Sequence, residues 1–182
     1  GFPKGVFNLV TGRGGEVGNA LSSHPLVDMI SFTGSTSGGI AVGKKALESV
    51  KHISLELGGK SPYIILPSEN HDYAEPIHLC FNSIFLNSGQ TCTAFSRLLI
   101  PEEEKGIIEK QLVEIAKEYT VGDPTDHAVK LGPVSSRQQF EKISDYIQKG
   151  MDEGARLLTG GLPGSPSKGY YIRPTIFTDV KN

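Results

Sequence analysis

Two side chains in this sequence carry the chemistry of a nucleophile and a base. Cys92 lies in "LNSGQTCTA", residues 86–94, just past an apolar run, with Gly89 before it and polar neighbours Ser88, Gln90, Thr91 and Thr93. A thiolate attacks electrophilic carbon readily, and its formation depends on its surroundings. Were Cys92 to begin a short turn of helix, the N–H groups there would favour the thiolate and hold an oxyanion formed on its partner. Local features leave an inert cysteine open as well. Glu56 lies in "ISLELGG", residues 53–59, between Leu55 and Leu57 at a strand end. Alternation puts it on the face opposite both leucines. One reading is an exposed strand-end carboxylate. The other is a general base beside Gly58 and Gly59, in partly apolar surroundings that raise its pKa. Spacing does not say whether Glu56 and Cys92 meet.

The second cysteine, Cys80, falls on the apolar face of a helical pattern and is expected to fill space in a core. The five histidines are scattered and form no ligand pair or triad, so no metal site is expected.

Two glycine-rich turns are candidate cofactor seats. "VTGRGGEVGNAL", residues 10–21, follows an apolar run and is expected to open a helix near Glu16. Gly14 and Gly18, with Gly12, approximate the dinucleotide fingerprint but miss its spacing by one. A loop that only turns the chain explains them too. "FTGSTSGG", residues 32–39, is a second strand-to-glycine turn. Gly34, Gly38 and Gly39 would keep backbone N–H groups unobstructed. Ser35, Thr36 and Ser37 add hydroxyls and caps for a helix expected over 40–50. A helix N-terminus with hydroxyls is a phosphate seat, and two such turns about 20 residues apart fit a nucleotide-binding half-sheet.

The elements that must position these residues alternate between strand and helix, which makes the class α/β. Apolar β-branched runs predict strands over 6–10, 29–34, 53–57, 63–67, 97–101, 155–160 and 171–177. Several are nearly all apolar, which suggests cover on both faces. Asp72 and Glu75 have capping-box spacing, and Ile77, Cys80, Phe81, Ile84 and Phe85 line one face behind them. Asn87, Ser88 and Gly89 read as the stop. A second helix is expected over 102–119, with Ile108, Leu112, Ile115 and Tyr119 on one face. A third is expected over 135–154, with Phe140, Ile143, Ile147 and Met151. Residues 160–169 read as a loop, and "ELGGKSP", residues 56–62, as a hinge between halves.

The bulk numbers exclude several classes. With 37% hydrophobic and 21% charged residues, the chain reads as globular. No apolar run approaches the ~20 residues of a membrane span. A net charge of −2 attracts neither nucleic acid nor an anionic membrane, so neither is an expected partner. Two cysteines make no disulfide scaffold, which suggests a reducing, cytoplasmic compartment. The opening residues have no basic region before an apolar core and no methionine, so the expectation is a cut inside a longer protein.

Together these residues resemble the aldehyde dehydrogenase superfamily. The resemblance is carried by "FTGST" (32–36), "LELGGKSP" (55–62), "GQTC" (89–92) and "GYYIRPTIF" (169–177), in family order across essentially all 182 residues. It implies the family fold: a Rossmann-like cofactor domain, whose C-terminal part would be residues 1–59, and an α/β catalytic domain, whose N-terminal part would be 60–182. It implies oxidation of a small-molecule aldehyde to a carboxylic acid with NAD or NADP. Cys92 matches the nucleophile, with its own N–H in the oxyanion hole, and Glu56 the base that activates water. Gly34 and Ser35 match the turn that receives the pyrophosphate, continued by Thr36, Ser37, Gly38 and Gly39. Gly14 and Gly18 match glycines near the adenosine end, and Leu57 a residue whose backbone lies near the nicotinamide. Phe85, Phe95 and Thr93 are candidate walls of the substrate tunnel.

The resemblance also implies what these residues do not supply. The family's oxyanion-hole asparagine, its adenosine-ribose lysine and its nicotinamide-ribose glutamate fall outside the four stretches, and Gly38 replaces a more usual non-glycine. An isolated piece of this length is therefore expected to be inactive, and its parent to be a homodimer or homotetramer. Two other readings stand beside this one. Acylating relatives pass the acyl group to coenzyme A or phosphate but generally lack a glutamate at the position of Glu56. A crystallin-like scaffold would keep the fold without activity, which retention of Cys92 and Glu56 disfavours.

Overall fold

The computed structural model describes residues 1–164 and 168–181. Part of the expected loop over 160–169 lies outside the described residues. The chain divides into two compact units, Gly1–Gly59 and Lys60–Asn182.

The first unit is organised by one β–α–β crossover. Strand β1 (Met29–Thr33) pairs in parallel with β2 (His52–Glu56), in register from Met29 opposite His52 to Thr33 opposite Glu56. Helix α2 (Thr36–Leu47) joins them, preceded by the short helix α1 (Asn19–Ser23). α2 starts four residues earlier than the sequence suggests. Ser35 takes the cap, its hydroxyl accepting from Gly38 N at 3.1 Å, so both glycines fall inside the first turn. α1 is extended backwards by a π-type turn over Gly14–Gly18, so helical backbone begins ahead of Glu16.

The strand expected over 6–10 is absent. A run of apolar residues makes a strand only when a neighbouring edge takes its N–H and C=O groups. Here the backbone instead turns at Gly5 (φ 88°), with Val6 N donating to Pro3 O and Asn8 Nδ2 to Gly5 O. Phe2, Val6, Phe7, Leu9 and Val10 are all exposed. Nor is β1 covered on both faces: its residues alternate between exposed and half-buried.

The second unit holds the larger core. Its elements are β3 (Pro62–Ile64), α3 (Ala74–Ile84), β4 (Arg97–Leu99), α4 (Lys105–Ala116), α5 (Arg137–Asp152), β5 (Arg156–Thr159) and β6 (Ile176–Thr178). β3 and β4 are parallel; β5 and β6 are antiparallel, with a register irregularity between Leu157 and Thr159. The strand expected over 171–177 shrinks to its last residues, since Pro174 has no N–H to give a ladder. Ile77 and Phe81 of α3 pack with Ile108, Leu112 and Ile115 of α4, as their helical spacing requires, and Tyr73, Tyr119 and Leu131 close the cluster. Tyr119 stacks edge-on against Phe81 and donates to Asn82 Oδ1 at 2.8 Å.

The expected capping box at Asp72 and Glu75 does not form. Asp72 Oδ1 accepts from Ala74 N at 3.0 Å, while the N–H of Asp72 donates to Asn70 Oδ1 at 3.1 Å. The reciprocal bond to Glu75 has lost its donor.

An ionic cluster fastens α4 to the β5–β6 hairpin. Arg156 reaches both carboxylate oxygens of Glu109, at 2.9 and 2.7 Å, and Asp179 Oδ2 at 3.0 Å. Thr178 Oγ1 donates to Glu109 Oε1, and Lys105 pairs with Asp179. Burial pushes the Glu109 carboxyl up, but hydrogen bonds from Arg156 and Thr178 outweigh it and hold it below the usual range. Bonds from Lys105 and Arg156 lower Asp179 likewise. A lowered carboxylate contributes stability that is complete above its unfolded pKa, about 4, and is lost as pH falls through its folded value. The urea midpoint should therefore fall as pH drops below about 4, and fall less in Glu109→Gln. Parallel pH curves for the two proteins would show that Glu109 contributes nothing.

Candidate active site

Cys92 is delivered by an unusual exit from α3. After Ile84 the chain forms a tight turn over Leu86–Gly89, in which Asn87 (φ 51°), Ser88 (φ 55°) and Gly89 (φ 80°) are all left-handed. Three such residues in succession reverse the helix's sense, and only the glycine adopts this region freely. A second turn follows, closed by Ala94 N donating to Thr91 O at 3.2 Å, and Cys92 sits exposed within it.

No helix begins at Cys92, so the helix N-terminus invoked for its thiolate is absent. Three of the neighbouring donors are also committed elsewhere. Thr91 Oγ1 donates to Leu86 O at 3.1 Å, Ser88 Oγ to Gly132 O at 3.0 Å, and Gln90 Nε2 to Asn87 O at 3.0 Å. Gln90 Oε1 accepts from Ser135 N at 2.9 Å. The reason is backbone accounting: a left-handed turn strands carbonyls that a continuing helix would have satisfied, and nearby side chains take them up. These residues brace the loop rather than solvate the sulfur.

Cys80 contrasts with it throughout. It is 3% exposed on the core face of α3, and burial pushes its thiol up to about 11. A cavity of about 670 Å³ in the second unit is lined by Cys80, Phe85, Phe95, Glu109 and Phe177 among others. Phe85 and Phe95 thus share one cavity wall, but Thr93 and Cys92 do not line it.

The first unit brings the other motifs together. Glu56 ends β2 and its side chain is exposed, not set in apolar surroundings. Its carbonyl accepts from Gly34 N at 3.0 Å, which ties "LELGG" to "FTGST" at the same end of the strand pair. The glycines there serve packing. A methyl group at Gly34 would lie 2.6 Å from Phe32 Cζ, one at Gly38 2.8 Å from the same atom, and one at Gly39 2.6 Å from Leu57 Cδ2. Gly34 N, Gly38 N and Gly39 N are all bonded within the unit, the last to Ser35 O at 2.9 Å. What remains for an anion is the first turn of α2, with the N–H groups of Thr36 and Ser37 and the hydroxyl of Thr36, while the Ser35 and Ser37 hydroxyls bond each other at 3.1 Å. That end of a 12-residue helix carries donors of the kind a phosphate takes. Gly14 and Gly18 lie in the π-type turn with open space where a side chain would be, so no local contact demands glycine at either.

One residue of this unit has no sequence signal. Lys51 is 8% exposed, and its Nζ donates to the carbonyls of His24 and Val27 at 2.8 Å each. It pins the loop before β1 to the start of β2. Nothing in "SVKHIS" distinguishes it from a solvated lysine. Among the described residues no three His, Cys, Asp or Glu side chains cluster as metal ligands, and no helix is long and apolar enough to cross a membrane.

Comparison with known proteins gives the family. The family model for aldehyde dehydrogenases matches residues 1–182, the whole chain. The chain belongs to the aldehyde dehydrogenase family. A putative aldehyde dehydrogenase of Staphylococcus saprophyticus is 48% identical over all of this chain, which covers 38% of that protein. Among solved structures, a cysteine-to-alanine mutant of aldehyde dehydrogenase C from Pseudomonas syringae, in complex with NAD+ and octanal, has a TM-score of 0.93 at 40% identity, over 100% of this chain and 37% of its own. The NAD+ complex of an aldehyde dehydrogenase from Bacillus cereus has a TM-score of 0.90 at 40% identity, over 100% of this chain and 36% of its own. The chain thus spans less than two fifths of the length of these aldehyde dehydrogenases. The fold is the mixed α/β fold of these relatives.

The two cysteines of this chain should react very differently. At pH 8 a thiol with a pKa of about 11 is ionised in roughly one molecule in a thousand, and Cys80 is also shielded. Iodoacetamide followed by peptide mass spectrometry should label Cys92 at least about a hundredfold faster than Cys80. Equal rates would mean that the core around α3 is open in solution.

Proposed function

We propose that the protein oxidises an aldehyde to a carboxylic acid, with Cys92 as nucleophile, Glu56 as general base and NAD as hydride acceptor. The observation that carries this reading is the exposed Cys92 on a braced turn, in a chain that matches the aldehyde dehydrogenase family from end to end. The solved relatives that hold NAD+, one of them with octanal, support a nicotinamide cofactor and an aldehyde as the substrate class. On this reading residues 1–59 form part of the cofactor domain and 60–182 part of the catalytic domain.

The cofactor would be held by its pyrophosphate at the first turn of α2, by Ser35, Thr36 and Ser37, with Leu57 beside Gly39 at the far edge of that turn. When bound, NAD supplies a two-electron acceptor for the hydride that leaves the substrate carbon. The chain's own residues do the rest. The Cys92 thiolate adds to the aldehyde carbon, and the carbonyl oxygen becomes an oxyanion beside the Cys92 N–H. Loss of hydride from that carbon leaves an acyl thioester on Cys92. Glu56 takes a proton from water, the hydroxide adds to the thioester, and the C–S bond breaks to release the acid and restore the thiolate. Glu56 is exposed and open to water, as a base for hydrolysis must be.

Kinetics of the full polypeptide test each role. Cys92→Ser should lower aldehyde-dependent NADH formation by about 10³-fold or more. Glu56→Gln should give a stoichiometric burst of NADH and then a slow steady state, because acyl-enzyme accumulates. A Cys92→Ser protein with ordinary turnover removes the nucleophile assignment. The chain spans less than two fifths of its relatives' length, so these 182 residues alone should make no NADH; turnover by them would show that they hold the cofactor unaided.

A further inference from the structure

The side chains around Cys92 reach well beyond their own loop. Ser88 Oγ donates to Gly132 O at 3.0 Å, and Gln90 Oε1 accepts from Ser135 N at 2.9 Å, across separations of 44 and 45 residues. Gln90 is used at both ends, since its Nε2 also donates to Asn87 O at 3.0 Å. It therefore cross-links the left-handed turn to a distant stretch of backbone. That stretch is anchored independently. Leu131 is buried in the core and its N–H donates to Thr120 O at 2.9 Å; Val134 is buried and its N–H donates to Tyr170 O at 2.9 Å. Ser136 caps α5, accepting from Gln139 N at 3.2 Å.

Both ties end on backbone atoms, so their lengths fix where the loop's backbone lies and not merely what packs on it. The loop they hold contains two non-glycine residues in the left-handed region, a conformation that lasts only while its surroundings over-determine it. Release of either tie lets Asn87 and Ser88 relax, and the sulfur two positions beyond Gln90 moves with them.

We propose that Gln90 and Ser88 are positioning residues for the Cys92 thiol, and that the 132–135 segment is the fixed frame against which the nucleophile is aimed. The proposal rests on the assignment of Cys92 as nucleophile. Neither residue touches substrate on this account; each acts through the loop. A displacement of about 1 Å at a reacting atom costs on the order of 10²-fold in rate, so loss of a tie registers in kcat more than in KM.

The test uses the full polypeptide and three variants, with kcat, KM for the aldehyde and Tm measured for each. Gln90→Ala removes the long tie and should lower kcat about tenfold or more, with KM within about twofold. Gln90→Glu keeps an acceptor for Ser135 N but sets a second oxygen against Asn87 O, so it should recover only part of that loss. Ser88→Gly removes the hydroxyl while relieving left-handed strain, so its Tm should hold while kcat falls about threefold or more. Cys92→Ser is measured alongside. If Cys92→Ser is inactive while Gln90→Ala and Ser88→Gly turn over like the wild type, positioning is overturned and the nucleophile stands. If Cys92→Ser is active, both assignments fall. If Gln90→Ala melts far below the wild type, Ser88→Gly decides: an unchanged kcat overturns the proposal and a reduced one at unchanged Tm supports it.

Discussion

The placement of Cys92 depends on the left-handed run at Asn87, Ser88 and Gly89. Non-glycine residues in that region cost on the order of 1–3 kcal/mol each, and a single hydrogen bond returns about 1 kcal/mol. No one contact can hold the turn. It survives because several bonds converge on it: from Thr91 to Leu86, from Gln90 to Asn87, and outward from Ser88 and Gln90 to Gly132 and Ser135. The rigid side of this arrangement is the core. α3 cannot rotate, because Ile77 and Phe81 are locked among Ile108, Leu112 and Tyr119. A fixed helix followed by a fixed reversal puts Cys92 in solvent while Cys80, on the same stretch of chain, stays in the interior.

The first unit solves a different problem. Two motifs far apart in sequence must share one strand end. The parallel register of β1 and β2 does this, ending at Thr33 opposite Glu56, with Gly34 N closing the pair onto the Glu56 carbonyl. α2 then leaves at once from Ser35, which caps it, and Phe32 and Leu57 lie where side chains at residues 34, 38 and 39 would point. This unit buries few large apolar side chains; Phe2, Leu26 and Val50 are each more than four-fifths exposed. Lys51 compensates in part, by tying loop to strand through carbonyls instead of apolar contact.

What could be read from the sequence was whatever depends on local period and on short motifs. The helical faces of α3, α4 and α5 follow from spacing, and so does the contrast between Cys80 and the cysteine beyond the helix stop. Features that depend on partners were illegible. The 6–10 run looks like a strand, but no neighbouring edge pairs with it. Asp72 and Glu75 have the right spacing for a box, but Asn70 takes the donor first. The glycines of 34–39 read as bare N–H groups, yet those groups are spent inside the unit, and Phe32 and Leu57 are the reason for glycine. The hydroxyls and amide around Cys92 were legible as donors, but their targets at Gly132 and Ser135 were not. Arg156 with Glu109 and Asp179 gave no signal, since the partners lie 47 and 23 residues away.

The central claim is that the substrate's acyl group is carried by the sulfur of Cys92. Its most direct test is to quench the full polypeptide of Glu56→Gln during turnover with aldehyde and NAD and to weigh the peptides. Cleavage at Lys and Arg leaves Cys80 and Cys92 on one peptide, so fragmentation must place the adduct between them. The account predicts a mass increase equal to the acyl group on Cys92 and none on Cys80. An acyl group on another residue, or steady NADH formation with Cys92 never modified, would contradict it.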